Sequence, residues 1–246
     1  MEQRGRVRVE PGAKRVRVMF DGIIVADTGD PLLVWEKPYY PVYYFPVADV
    51  DSSLLVESGS SRSPSRGPAI RYTIATGGRS APGAAYRHPD SPIEAIRGHI
   101  AFEWGAMDHW FEEDEEVYVH ARDPYTRVDV LRSSRHLRIE IDGVTVADST
   151  RPTLLFETGL PVRYYLPLTD IRTDLLRPSS TVTACPYKGT AAYHSLEVDG
   201  VLHEDVAWTY PFPAGEALGI AGLVAFYDER VEVFVDGEQQ ASPGRR

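Results

Sequence analysis

The sequence predicts a mainly β protein: two tandem copies of one compact antiparallel domain, sandwich-like or barrel-like, with few and short helices. Three observations carry this. First, the chain repeats itself. Arg17-Val18-Met19-Phe20-Asp21-Gly22-Ile23-Ile24-Val25-Ala26-Asp27 returns as Arg138-Ile139-Glu140-Ile141-Asp142-Gly143-Val144-Thr145-Val146-Ala147-Asp148, and the match runs without a gap to Leu54-Leu55 against Leu175-Leu176. A period this long is no solenoid, whose units run to about 20–50 residues; it is a whole small domain written twice. Second, the apolar segments are short, many alternate with period two, and turn residues punctuate them. Third, no long segment carries the 3.6-residue period of a helix.

The elements follow in order within each copy. Val16, Val18 and Phe20 alternate with charged or flexible side chains, Asp21-Gly22 is a two-residue hairpin signal, and Ile23 to Ala26 form the return strand. Asp142-Gly143 repeats this turn. Third strands are expected at Leu32 to Glu36 and Leu154 to Glu157, fourth strands at Val42 to Phe45 and Arg163 to Leu166, each closed by a proline (Pro46, Pro167). A short helix or turn around Asp49 and Asp170 leads to the Leu-Leu pair and then to a loop. Strands follow near 69–75 and 191–198, and Gly77-Gly78 and Asp199-Gly200 mark further hairpins. Late strands are expected at 100–104, 117–120, 224–227 and 231–235, and short helices at 92–97 and 215–220. The domains drawn from the repeat are 15–120 and 136–240, with an N-terminal extension 1–14, a linker 121–135 and a tail 241–246.

A chain of 246 residues leaves each copy long enough for its own core. Hydrophobic content of 43% with 25% charged residues is that of a soluble globular protein. Net charge is −10, from 36 acidic and 26 basic residues, which argues against a nucleic-acid partner. The basic stretch Arg4, Arg6, Arg8, Lys14, Arg15, Arg17 alternates with valines and reads as a charged edge strand. The acidic run Glu112 to Glu116 reads as a loop facing the arginines of the linker. No apolar run approaches a membrane span, and Met1 to Arg6 lead into no apolar signal segment. With one cysteine there is no intrachain disulfide, so a cytoplasmic bacterial-type protein is expected.

Candidate chemistry gathers in copy two. Cys185-Pro186-Tyr187-Lys188-Gly189 has the Pro and Gly positions of a tight turn, and copy one has Ser63-Pro64-Ser65-Arg66-Gly67, one residue out of register. Such a turn brings its first and fourth Cα atoms within about 7 Å, so Cys185 and Lys188 can face each other, and an ammonium favours the thiolate. Copy one replaces the thiol with a hydroxyl and the amine with a guanidinium, which does not titrate. Lys188 is also one of only three lysines, with Lys14 and Lys37, in a chain that otherwise uses Arg. Against these stands the plain reading of a lone cysteine as a small buried hydrophobe. Tyr187, Tyr193, Tyr164, Tyr165, Arg163, Trp208 and Tyr210 are candidate ligand contacts, although most aromatics in a chain with 11% of them serve packing. Glu157, twin of Glu36, is a buried acceptor or a site acid; its duplication favours structure. His194 is a candidate base. Dinucleotide, Walker, nucleophile-elbow, H-E-x-x-H and C-x-x-C motifs are absent from the sequence, and no metal site or cofactor is indicated.

The run Arg163-Tyr164-Tyr165-Leu166-Pro167, the Cys185 to Gly189 turn, Ala191 with Tyr193, Ala207-Trp208-Thr209-Tyr210-Pro211 and Ile220 to Tyr227 together resemble the DUF427 family of uncharacterised domains, in a tandem form. The resemblance covers about 15–238. It implies compact mainly β domains of bacteria and fungi with no established activity. A nucleotidyltransferase-like label sometimes attached to the family finds here no Gly-Ser followed by paired aspartates. Copy one departs at the Cys, Tyr and Lys of the turn and has Ala84-Ala85-Tyr86 near the place of Trp208. Three functional readings follow: a small-molecule site around Cys185 to Lys188, a thiol-dependent enzyme with Cys185 as nucleophile, or a non-catalytic structural or interaction scaffold. The expected partner is a small molecule; neither nucleic acid nor membrane is expected, and the oligomeric state is open.

Overall fold

The structure, a computed structural model, describes residues 7–243. Arg4 and Arg6 of the basic stretch, the Met1 to Arg6 start and the last three residues of the 241–246 tail lie outside the described residues. The chain divides into two compact units, Met1–Asp123 and Pro124–Arg246. The division falls inside the segment read as the linker.

Each unit is a two-layer β arrangement of one seven-stranded and one four-stranded antiparallel sheet. In the first, the large sheet runs Arg8–Pro11, Leu32–Trp35, Val42–Pro46, His99–Phe102, Ser80–Arg87, Gly67–Ala75, Leu55–Ser63; its end strands do not meet, so it is no closed barrel. The small sheet runs Glu115–Glu116, His109–Glu112, Val16–Phe20, Ile23–Thr28. The second unit repeats the large sheet as Val128–Arg132, Thr153–Glu157, Arg163–Pro167, Leu223–Phe226, Val201–Thr209, Gly189–Val198, Leu176–Cys185. Its small sheet runs Val144–Ser149, Leu137–Ile141, Glu232–Val235, Glu238–Gln239.

The Asp-Gly signals act as expected. Asp21 and Gly22 take φ of 53° and 73°, Asp142 and Gly143 take 52° and 77°, the left-handed pair that a two-residue hairpin turn needs. The core follows the alternation: Val16, Val18, Phe20 and Val25 of the small sheet pack against Tyr43, Phe45, Ile74, Ile100 and Phe102 of the large one. Leu137, Ile139, Ile141 and Val146 do the same against Leu166, Leu196, Val224 and Phe226. The opposite face of each large sheet carries a second, smaller apolar cluster, built on Tyr44, Tyr86 and Ala101 or on Tyr165, Trp208 and Ala225. The helical elements are 3₁₀ turns, including Glu94–Ile96 and Gly215–Ile220, and these two lie over that second face.

Several expectations change. The stretches after the Leu-Leu pairs, read as loops, are the long edge strands Leu55–Ser63 and Leu176–Cys185. Their side chains are mostly exposed, so no hydrophobic alternation marks them; the backbone ladder to the neighbouring strand holds them. The expected strand at 117–120 is irregular chain, with Val119 at φ 71°, a left-handed conformation far from the extended region. The extension and the linker each supply an edge strand, Arg8–Pro11 and Val128–Arg132; of the basic stretch Arg8 lies on such an edge, whereas Arg17 lies on Val16–Phe20, an inner strand of the small sheet. The acidic run meets the basic stretch: Glu112 pairs with Lys14, Glu113 accepts the Arg15 backbone N–H and Asp114 pairs with Arg17. No helix among the described residues is long and apolar enough to cross a membrane.

Candidate functional site

Antiparallel register places the second domain's site on the outer face of its large sheet. Tyr193, Trp208, Ala225 and Tyr165 lie side by side on four neighbouring strands. Because strand side chains alternate, Arg163 and Tyr165 share this face while Tyr164 and Leu166 turn to the sandwich core. The turn after Cys185 then folds Lys188 over the same face. Gly189 makes this geometry: its φ is +92°, and a Cβ there would meet the Phe212 carbonyl oxygen at 3.0 Å and the Ala214 nitrogen at 3.3 Å. The Ala214 N–H donates to the Lys188 carbonyl at 3.0 Å, tying the 211–214 segment across the site.

The result is a cavity of about 170 Å³. Tyr165, Tyr193, Trp208, Tyr210 and Tyr227 form much of its wall, with Leu155, Leu160 and Pro161; Glu157, Lys188 and Arg163 supply charge. Lys188 Nζ pairs with Glu157 Oε2, and both side chains are about nine-tenths buried, at 12% and 8% exposure. Arg163 forms a fork on Glu229, with contacts of 2.6 and 3.0 Å, lies 3.6 Å from Asp228, and sits over the Trp208 ring at 5.7 Å from its centroid. Trp208 Nε1 donates to the Tyr165 hydroxyl at 3.2 Å, and the hydroxyls of Thr183, Tyr193 and Tyr227 form a chain with steps of 3.0 and 3.1 Å. The Tyr210 hydroxyl faces the cavity with no hydrogen-bond partner among the described residues, although Tyr210 is only 6% exposed.

Burial pushes the Tyr165, Tyr210 and Tyr227 hydroxyls up, so all three stay protonated and offer O–H donors. The Asp228 carboxyl, behind Arg163, is pushed up to about 6 by burial, against the pull of Arg163 and with a push from Glu229. For Arg163 burial opposes the charge, but Glu229 and Asp228 outweigh it and the guanidinium is held ionised.

The structure therefore brings together Glu157, Arg163, Tyr165, Lys188, Tyr193, Trp208 and Tyr210. It does not bring in three others. Tyr164 lies on the opposite face, beside a different cavity shared with Asp228. Tyr187 is half-buried in the turn and outside the cavity wall. Cys185 is half-buried at the end of its strand, near Tyr165 and Tyr210 but not in the wall, and the Lys188 ammonium is placed on Glu157 instead of on the thiol. His194 stands in register with Pro178, farther along the edge hairpin. Sequence reasoning left Leu155 out of the site, and it did not link Glu157 to Lys188. The signal was there: both copies carry a carboxylate after the third strand and a cation before the turn glycine.

The first domain has the same frame. Arg66 pairs with Glu36, donates to the Tyr44 hydroxyl at 2.8 Å and to His88 Nε2 at 3.1 Å, and lies 5.5 Å from the centre of the Tyr86 ring. Tyr44 donates to Glu36 at 3.3 Å. Since arginine only donates, His88 accepts through Nε2 and its Nδ1–H donates to the Pro68 carbonyl at 2.8 Å; burial and Arg66 both favour this neutral form, and its pKa is lowered. Arg71 stands where the second domain has Tyr193, paired to Glu103 at 2.6 Å and over the Tyr86 ring at 5.0 Å.

Among the described residues no group of three or more His, Cys, Asp or Glu side chains is placed to hold a metal ion. No curated protein matches the chain. The family described as "Domain of unknown function (DUF427)" matches it twice, over residues 8–113 and 129–237. The chain belongs to the DUF427 family and carries its domain in two tandem copies.

Proposed function

We propose that the second domain binds a small molecule in the cavity between the Cys185 to Gly189 turn and the outer face of the large sheet. The observation that carries this reading is the ring-lined cavity itself, in which Tyr165, Tyr193, Trp208, Tyr210 and Tyr227 surround the buried Glu157–Lys188 ion pair and the Tyr210 side chain lines the wall. The protonated Tyr210 hydroxyl is a donor that a ligand acceptor can engage, a hydrogen bond worth roughly 1 kcal/mol net. Concave, mostly apolar sites with a few converging polar groups are the usual form of a small-molecule site. The cavity, about 170 Å³, suits a molecule the size of a single substituted ring, since an apolar cavity of about 150 Å³ takes benzene.

Binding is favoured over thiol catalysis. A nucleophilic Cys185 needs a cation or base at the sulfur and a path to the ligand, whereas the ammonium is committed to Glu157 and the sulfur stands outside the wall. A cytoplasmic setting is part of the proposal, in keeping with a single unpaired cysteine. The test is a thermal-shift and ligand-detected NMR screen of single-ring compounds against the native chain, Tyr210→Phe and Cys185→Ser. Tyr210→Phe is expected to melt normally and to weaken binding about tenfold. Cys185→Ser is expected to bind as the native chain does. Loss of binding in Cys185→Ser, with unchanged binding in Tyr210→Phe, overturns the assignment in favour of the thiol.

A further inference from the structure

The two copies differ at the cation of the turn, Arg66 in the first and Lys188 in the second, and that difference describes what the cavity lacks. In the first domain the Arg66 guanidinium sits among Glu36, the Tyr44 hydroxyl, His88 and the Tyr86 ring. Their register counterparts in the second domain are Glu157, Tyr165, Tyr210 and Trp208, and all four line the cavity. Lys188, the counterpart of Arg66, also engages the carboxylate. Its side chain ends at the atom where arginine has its guanidinium carbon, so the flat N–H fork is what goes missing.

Resting on the reading of this cavity as a ligand site, we infer that its ligand is a neutral, planar group that presents N–H donors: a primary carboxamide carried on a flat ring. The ring part follows from the walls. Trp208 and Tyr227 lie 4.5 Å apart by centroid, with Tyr193 nearly parallel to Tyr227 at 22°. Packed on one another in this way, they make the cavity wall largely aromatic, which suits an aromatic body. The donor part follows from Arg66, whose N–H fork reaches the Tyr44 oxygen and His88 Nε2 in the first domain; the counterparts Tyr165 and Tyr210 keep hydroxyl oxygens there, and the carbonyl oxygen of a carboxamide would in turn accept the Tyr210 O–H. The neutral part follows from charge. In the first domain one cation answers Glu36; in the second, Lys188 already answers Glu157. The charges of the wall are already answered, Lys188 by Glu157 and Arg163 by Glu229, so a charged ligand of either sign would find no unpaired counter-charge there. What is left to supply is the shape and hydrogen bonding of the fork without its charge.

Three ring compounds of nearly equal size separate the cases: benzamide, benzamidine (cation) and benzoate (anion). The full chain is titrated with each by calorimetry and ligand-detected NMR. Benzamide is expected to bind at least about tenfold more tightly than either of the others. Lys188→Arg rebuilds the fork in place and is expected to abolish benzamide binding while the protein melts as a folded chain. Lys188→Met removes the cation, leaves Glu157 unanswered, and is expected to turn the preference to benzamidine; this variant decides the matter if Lys188→Arg does not fold. Benzoate or benzamidine as the tightest ligand of the native chain overturns this inference and leaves the cavity as a binding site. Unchanged benzamide affinity in Lys188→Arg also overturns it. No binding by any of the three, with no hit in the wider screen, overturns the ligand site itself.

Discussion

Glu36 with Arg66 and Glu157 with Lys188 occupy the same places on the same sheet, yet their surroundings diverge. The first domain surrounds its cation: the guanidinium has a carboxylate, a tyrosine oxygen and an imidazole nitrogen, and Arg71 closes on the Tyr86 ring from the side. In the second, the cation has one carboxylate, tyrosines replace Arg71 and His88, and space remains in front of them. The lesson is that both copies keep a carboxylate–cation pair, while the cation itself and what its far side touches differ. A buried ion pair held by two strands and a turn is a frame on which either a filled or an open site can be built.

Four measurements sharpen or break this contrast, taken from the largest expected effect downward. Glu157→Gln leaves the Lys188 ammonium buried without its counter-charge and is expected to destabilise the second domain by about 4 kcal/mol in urea unfolding. Glu36→Gln is expected to cost less, since Arg66 keeps Tyr44 and His88. Equal costs would break the idea that the second pair stands alone.

The second is a pH profile in which the domains oppose each other. Asp228 takes up its proton at a higher pH folded, about 6, than unfolded, about 4. The folded second domain thus holds more protons in that window. Its stability from this group is fully present below about 4 and is lost as pH rises to about 6, by up to about 3 kcal/mol. His88 runs the other way: its lowered pKa means that the unfolded chain takes the proton first, so the first domain loses stability as pH falls below about 6.5. Asp228→Asn should flatten the first slope and leave the second. A second-domain slope unchanged in Asp228→Asn would assign it elsewhere.

The third concerns the turn glycines. Gly189→Ala is expected to cost about 2 kcal/mol, from a left-handed φ and from backbone within 3.0 Å. Gly67→Ala, with φ +84° but with the Pro92 side chain at 3.1 Å as its nearest contact, is expected to cost less. Denaturant midpoints of the two variants read the difference. The smallest effect is Arg66→Lys, which makes the first site resemble the second. Losing the contacts to Tyr44 and His88 is expected to cost about 1 kcal/mol, and the His88 ring resonances should shift as Nε2 loses its donor.

Much of this fold could be read from the chain, and the reasons are local. Asp-Gly between alternating apolar runs specifies a two-residue hairpin, and Val16, Val18 and Phe20 identify the buried face without further help. The edge strands could not be read this way. In Leu55–Ser63 and Leu176–Cys185 both faces meet solvent along most of their length, so pairing is decided by the neighbour's backbone and not by side-chain pattern. At the site, residue types were legible and pairings were not. Tyr164-Tyr165 reads the same from either face until the register is known, and Lys188 is three residues from Cys185 in sequence while its partner Glu157 comes from another strand.

The site in each domain lies on the face of the large sheet turned away from the sandwich core, so a whole layer of backbone separates the two sets of side chains. Energetic effects of substitutions on opposite faces of such a wall should add, because the altered side chains share no contacts. A double variant combining a change in the first set, such as Val146→Ala, with one at Tyr193 would then show no coupling. On that architecture a duplicated domain can exchange one recognition surface for another by a few substitutions without renegotiating how it folds.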